Sequence, residues 1–379
     1  MVNNINHLLE AYRQLQRDQQ DSVLATIIET FGSTYQKAGA RMLITQTGEL
    51  VGLLGGGCFE RDLVEQAGSV FETGDAKTLF YDMPSGEDAI WGLGLGCNGA
   101  VRVFLQLLEA EQDFSPLKQL VEAAEAQAHG VLVTVFDSAH ADFPSGRSQF
   151  LPAAIVGEQP ILSSAPFPFA TAALQTALQQ KPRIETHPLD GLDIKVFYDP
   201  VQPPWQLLIF GAGADAIPLV NYAKSLGWRV TLVDHRPAHI KPERFPLADQ
   251  LLHLTPEQVA AQLDLNRFNA IMLMTHNVEY DQRYLQAIVH CRVPFIGLLG
   301  PAHRKQRLLQ SLGDDAALIA ERVFGPVGLD IGAQTPEEIA LSIVAGIQAQ
   351  LNGRSGLQLG YDVVAIKHEC SHSQAQSIR

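Results

Sequence analysis

Near the start of the chain, Ile5, Leu8, Leu9, Tyr12 and Leu15 fall on one stripe at spacings of three and four, among Gln, Arg and Asp. This spacing predicts an amphipathic helix. Val23 to Ile28 is rich in β-branched residues and reads as a strand. Met42 to Ile44 and Leu50 to Leu54 flank the turn dipeptide Thr47-Gly48, which predicts a hairpin. Phe59 to Val70 returns to helical spacing through Leu63, Val64 and Ala67, so the glycines before it form a helix entry. Val101 to Leu108 reads as a buried strand. Between residues 115 and 200 the pattern is weaker: a helix near 116–128, a strand at Val131 to Phe136, then loops containing Pro and Ser. From Trp205 apolar strands alternate with helices across short connections, with strands at 206–210, 229–233, 250–253, 270–274 and 294–298. Such alternation is the signature of a parallel sheet covered on both faces. Thr335-Pro336-Glu337-Glu338 supplies an N-cap, a proline at the first helical position and a reciprocal Glu, opening a last helix to about Leu351.

The expected fold class is therefore α/β, with an N-terminal mixed α/β domain and a C-terminal doubly wound parallel sheet. The expected boundaries are 1–115, an intermediate segment and linker at 116–204, the parallel-sheet domain at 205–352 and a polar tail at 353–379. A length of 379 residues exceeds what one small core accounts for. With 46% hydrophobic and 18% charged residues, the composition is globular and excludes disordered, collagenous and coiled-coil chains. The formal charge of -14, with no basic patch, argues against a nucleic acid or anionic membrane as partner. An anionic small ligand stays open, because a few backbone N–H groups suffice to hold it. The 4 cysteines form no C-x-x-C pair, which excludes a zinc ribbon or disulfide scaffold and fits a reducing compartment. Without a leader-like N-terminus or a run of roughly 18 apolar residues, a soluble cytoplasmic protein is expected.

Two constellations could carry chemistry. In the first, the apolar run Leu207 to Phe210 enters Gly211-Ala212-Gly213-Ala214-Asp215-Ala216, a Gly-x-Gly-x-x-Ala sequence at a strand-to-helix turn. It predicts a Rossmann-like domain, in which Gly211 and Gly213 admit a diphosphate to a helix N-terminus. Asp234 ends the next strand, 21 residues beyond Gly213, where an acid binds a ribose hydroxyl. Two other readings stand beside this one: the glycines serve helix packing and Asp234 caps a turn, or Arg236 takes a phosphate. His276 follows a strand where a cofactor's edge would rest, although a helix-start role with Thr275 and Asn277 fits equally well. His303, Arg304 and Lys305 follow another strand end and could hold an anion or begin a solvated helix.

The second constellation is Gly55-Gly56-Gly57-Cys58 before a helix. A helix N-terminus favours the thiolate, making it a nucleophile, a sulfur carrier or a soft-metal ligand. Cys97, in the loop Gly92-Leu93-Gly94-Leu95-Gly96-Cys97-Asn98-Gly99, could converge on the same site. Cys291 reads as core, and the His368-Glu369-Cys370-Ser371-His372 tract as a loose tail. No Gly-x-Ser-x-Gly, His-Glu-x-x-His or Walker sequence occurs, which removes the usual support for serine hydrolase, zincin and P-loop classes.

Taken in order, Gly32-Ser33-Thr34, Gly39-Ala40-Arg41-Met42-Leu43, Leu54-Gly55-Gly56-Gly57-Cys58-Phe59-Glu60 and Gly94-Leu95-Gly96-Cys97-Asn98-Gly99 resemble the N-terminal domain of the XdhC/CoxI family. The resemblance continues through Ile209 to Gly213, Val233 to Arg236, Met274 to Asn277, Ile296 to Gly300 and Pro326 to Ala333. It implies a maturation accessory protein, or chaperone, for molybdenum hydroxylases such as xanthine dehydrogenase. Such a protein binds molybdenum cofactor (molybdopterin), protects it during sulfuration by a cysteine desulfurase and inserts it into the apo-enzyme. Residue by residue, the resemblance assigns cofactor contact to Gly55, Gly56, Gly57, Cys58, Gly96, Cys97, Gly211 and Gly213. The resemblance implies that Cys58 and Cys97 would touch molybdenum or carry sulfur. The competing expectation is an NAD(P)-dependent oxidoreductase using Gly211, Gly213, Asp234 and His276, and a third is a structural assembly factor. A homodimer is also expected, with the two cysteines facing a cleft at the domain boundary.

Overall fold

Leu8, Leu9, Tyr12 and Leu15 are buried along one side of α1 (Ile5–Asp18), as their spacing requires. The computed structural model describes residues 5–83, 99–156, 159–162 and 169–359, and the chain divides into two units, 1–204 and 205–379. In the first unit, β1 (Ser22–Gly32), β2 (Arg41–Thr45), β3 (Leu50–Gly52), β4 (Lys77–Met83) and β5 (Gly99–Leu108) form an antiparallel sheet in the order β3-β2-β1-β5-β4. Strand β1 has an almost continuous buried run because both faces of this sheet are covered. Val23, Ala25 and Ile27 meet Phe59, Leu63, Ala67 and Val70 of α2 (Gly57–Thr73). Leu24 on the opposite face meets α1 and α3 (Leu117–Glu125).

The segment 116–204, expected as an intermediate α/β segment and linker, is α/β along most of its length. It continues through β6 (Gly130–Asp137), β7 (Ser148–Val156), β8 (Gln159–Leu162), α4 (Ala170–Gln179), β9 (Arg183–Leu189) and β10 (Leu192–Val201), which form a second five-stranded sheet ordered β8-β7-β6-β10-β9 under α4. Its weak sequence signal has a physical cause: β9 is an edge strand, where half-exposed positions and Pro188 are tolerated. Ile28 and Phe104 of the first sheet pack on Phe136 and Phe197 of the second. The buried Arg41–Asp199 ion pair joins the same two sheets.

The second unit has β11 (Gln206–Phe210), α5 (Ala216–Ser225), β12 (Arg229–Asp234), β13 (Gln250–His253), α6 (Pro256–Gln262), β14 (Ala270–Leu273) and α7 (Val278–Ile288). These are followed by β15 (Phe295–Leu298), α8 (Ala302–Gln310), β16 (Val323–Phe324) and α9 (Pro336–Leu351). The parallel sheet is ordered β13-β12-β11-β14-β15-β16. The two-residue β16 has too short a pattern to read from sequence. Alternation along β11 sends Leu208 and Phe210 toward α6, α7 and α8, and Leu207 and Ile209 toward α5 and α9. The strand order reverses between β11 and β14, so the crevice of a doubly wound sheet opens at their carboxyl ends. Among the described residues no helix is long and apolar enough to cross a membrane.

Candidate functional site

In the first unit, α2 begins at N-cap Gly56, whose backbone is extended and supplies no side-chain cap. Gly55 is buried for a packing reason: a Cβ there would lie 2.7 Å from the ring of Phe59, which is itself fully buried. The Glu60 carboxylate accepts hydrogen bonds from the N–H groups of Leu54 (3.2 Å) and Gly55 (3.4 Å), tying the loop to the helix it enters. Gly57 is different, since a Cβ there would meet nothing within 4 Å. Cys58, in the first turn, is exposed, whereas Cys291 is buried in the core of the second unit. The Phe59 ring meets Tyr81 edge-on at 4.8 Å, and the Tyr81 hydroxyl donates to Asp62 at 2.5 Å. Burial first, and then the Asp62 carboxylate, push the Tyr81 phenol well above its usual range. This buried scaffold leaves the thiol and its glycine neighbour facing outward. Gly96, Cys97 and the 368–372 tract lie outside the described residues.

In the second unit, Gly211 needs its φ of +115°, and a Cβ there would collide with the Met274 carbonyl. Gly213 also forms the predicted turn, but the space over its Cα holds the carboxylate of Asp215, at the start of α5. An acid at a helix N-terminus takes the favourable dipole interaction that a phosphate would otherwise take. Asp215 also accepts from His276 Nε2 at 2.7 Å, with His276 held at φ +59°. Asn277 rather than His276 caps α7.

Asp234 is fully buried and committed within the protein. It accepts from the Ala212 N–H (2.8 Å), the Arg236 N–H (2.8 Å) and both Nε (2.9 Å) and Nη2 (2.8 Å) of Arg236. Burial raises its carboxyl, but the Arg236 side chain and the two N–H donors outweigh this and hold it down at about 2. With Asp215 over Gly213 and Asp234 closed on Arg236, the residues present do not fit a dinucleotide.

A cavity of about 810 Å³ opens on the other side of the reversal point, lined by Asp215, Met274, His276, Leu299, Arg304 and the 326–334 segment, among others. Arg304 is positioned by the buried Asp281, which takes its Nη2 at 2.5 Å and also accepts from the Thr275 hydroxyl at 2.6 Å. The Arg304 stem lies over Gly300, where φ is +119° and a Cβ would sit 2.8 Å from Arg304 Cδ. Of the neighbouring cations, Lys305 instead donates to the Val323 carbonyl at 2.6 Å. Sequence reasoning quoted Pro326 to Ala333 within the family resemblance and Asp215 within the glycine motif but gave neither a role at a site, and it did not find Asp281. Among the described residues no three His, Cys, Asp or Glu side chains form a metal-sized group.

Comparison with known proteins follows the same two-part division. Residues 207–347 match the XdhC Rossmann domain, and residues 15–82 match the XdhC and CoxI family. A probable xanthine dehydrogenase subunit of Bacillus subtilis (strain 168) is 32% identical over 348 residues, covering 91% of this chain and 97% of its own. The molybdenum cofactor insertion chaperone PaoD of Escherichia coli (strain K12) is 22% identical over 329 residues, 86% of this chain and 82% of PaoD. The crystal structure of a xanthine dehydrogenase from Bacillus halodurans superposes with a TM-score of 0.71 at 30% identity, over 95% of this chain and 99% of that one.

Proposed function

The chain belongs to the XdhC and CoxI family, and from that premise we propose that it binds molybdenum cofactor as cargo during maturation of a xanthine dehydrogenase-type molybdenum hydroxylase. The observation that carries this reading is the exposed Cys58 at the uncapped start of α2, in a chain similar along most of its length to a molybdenum cofactor insertion chaperone. The cargo is anionic and soft at its metal. A thiol is a soft ligand, and the free N–H groups of a helix start favour negative charge. Gly57 leaves room beside the sulfur for a bulky guest. Cys58 holds the cargo during its sulfuration by a cysteine desulfurase, and the apo-hydroxylase then receives it in the cytoplasm. Cargo contact is assigned also to Cys97 and Gly96 of the second cysteine–glycine sequence motif, and the acting species is a homodimer. The oxidoreductase reading lacks support, because the Asp215 carboxylate lies over Gly213 and the Asp234 carboxylate is already committed to Arg236 and the Ala212 N–H.

The test is to load the purified chain with molybdenum cofactor and measure bound molybdenum and pterin. Cys58→Ala is expected to lose most of the metal, with an unchanged thermal midpoint because the side chain is exposed. Equal capture by wild type, Cys58→Ala and Cys97→Ala would remove the thiols from the mechanism.

A further inference from the structure

Cys58 and Arg61 stand three residues apart on α2, and both are exposed. At 3.6 residues per turn they lie about 60° from each other, on the side turned away from the buried Phe59, Leu63, Ala67 and Val70. We propose that Arg61 is a specificity-determining residue of the thiol site, its guanidinium taking a phosphate group beside the sulfur. The inference deepens the cargo reading and rests on it for one source of the phosphate, the guest whose metal meets Cys58; free inorganic phosphate is the other source.

Charge singles out Arg61 because the acids around it are engaged elsewhere. The Glu60 carboxylate accepts from the N–H groups of Leu54 (3.2 Å) and Gly55 (3.4 Å), and Asp62 accepts from the Tyr81 hydroxyl at 2.5 Å. Glu65 is exposed one turn further along, where an arginine preceding a glutamate by four residues is the weaker order for an ion pair. Among the described residues neither Arg61 nor Glu65 forms an ion pair. Near a helix start the dipole favours acids over cations, so helix stability gives no reason for an unpaired arginine here. A ligand does. The N–H groups of Gly57 and Cys58, left without partners in the protein, favour an anion at the same place.

Geometry then joins the cation to the thiol. Residues three apart on a helix have Cβ atoms about 5–6 Å from each other. A helical side chain covers the turn before its own Cα, so position 61 serves the turn that holds Gly57 and Cys58. Gly57 keeps that turn open, since a Cβ there would meet nothing within 4 Å. A soft sulfur and a planar fork of donors suit the two ends of one guest, the metal and the phosphate, and the fork binds phosphate oxygens in pairs where an ammonium acts only as a point charge.

Two measurements on the full chain test this. The first alkylates the protein with anionic iodoacetate or neutral iodoacetamide and follows Cys58 by peptide mass mapping. At low ionic strength the anionic-to-neutral rate ratio is expected to fall about twofold or more in Arg61→Gln, and to stay level or rise in Glu65→Gln. The second titrates each variant with molybdenum cofactor. Arg61→Gln is expected to bind at least about tenfold more weakly with an unchanged thermal midpoint, because the side chain is exposed and unpaired; Arg61→Lys recovers part of the loss. Inorganic phosphate is expected to slow alkylation of Cys58 in the wild type and not in Arg61→Gln. An unchanged rate ratio, or equal cofactor affinity in Arg61→Gln, overturns the inference. Capture that is lost in Cys58→Ala yet intact in Arg61→Gln overturns it alone and leaves the cargo reading standing. Phosphate protection that depends on Arg61, in a chain that captures no molybdenum, supports the phosphate site and removes the cargo reading.

Discussion

At Gly211 a Cβ would run into the Met274 carbonyl oxygen, and the backbone already lies at φ +115°. Neither the rigid carbonyl nor the dihedral can give way cheaply, so Gly211→Ala is expected to lose about 3 kcal/mol or more of stability. Gly57 has neither constraint, because nothing lies within 4 Å of its Cβ position. Alanine there is expected to stabilise α2 by about 0.5–1 kcal/mol, since it restricts the unfolded chain more than glycine does. Chemical denaturation of the two variants checks both signs, and reduced molybdenum capture by the more stable Gly57→Ala would tie that glycine to the guest rather than to the fold. Asp234 makes a prediction in pH. Its folded pKa of about 2 lies below the ordinary carboxylate value of 3.8, so the unfolded chain takes up the proton first as pH falls. The stabilisation, about 2 kcal/mol, is fully present above pH 4 and is lost as pH drops through 2. Asp234→Asn is expected to unfold more readily at pH 7 and to show a flatter acid limb between pH 4 and 2, read by denaturant midpoints across that range.

Helix starts in this chain are finished in two ways. Helix α9 has a complete capping box, in which the Thr335 hydroxyl accepts from the Glu338 N–H (3.3 Å) and the Glu338 carboxylate accepts from the N–H groups of Thr335 (2.9 Å) and Gln334 (2.7 Å). Those donors hold the Glu338 carboxyl below its usual range. Thr335→Ala is expected to cost about 1 kcal/mol and, because Pro336 and Ile339 line the cavity, to loosen its wall. A denaturation midpoint together with hydrogen exchange at residues 336–340 would show both effects. Helix α2 begins instead with glycine and no side-chain cap, beside an exposed thiol. The Phe59 N–H donates to the Gly56 carbonyl at 3.0 Å, which leaves the N–H groups of Gly57 and Cys58 to solvent or to a ligand. The helix stays in place without a cap because Phe59, Leu63, Ala67 and Val70 are buried against the first sheet, each large side chain contributing about 1.5–3 kcal/mol.

At the scale of the whole molecule, the second unit was legible because its central strands β11, β12, β14 and β15 are buried on both faces. Their short apolar runs, the Gly-x-Gly-x-x-Ala turn and the cap at Thr335 can all be read locally. Of the second sheet of the first unit only β6 was legible, as the strand at Val131 to Phe136. The edge strand β9 of that sheet is half exposed, and the sheet is held to the first by contacts such as Ile28 and Phe104 with Phe136 and Phe197, and Arg41 with Asp199. Gly39 admits that ion pair, since a Cβ there would lie 2.7 Å from Asp199 Oδ1, yet nothing local marks it. The same limit applied to chemistry. Cys58 at a helix start and Gly211 at a tight turn were readable from neighbouring residues, whereas Asp215 with His276 and Arg304 with Asp281 join residues 61 and 23 positions apart. By itself the sequence determined most helices and strands of the second unit, the parallel sheet and the place of Cys58 at a helix start, because short-range sterics and hydrophobic periodicity act within a few residues. Only the tertiary structure decided that the fingerprint acids turn inward and that the open cavity lies beside β14 and β15. Which charges neutralise each other depends on distances that packing alone sets.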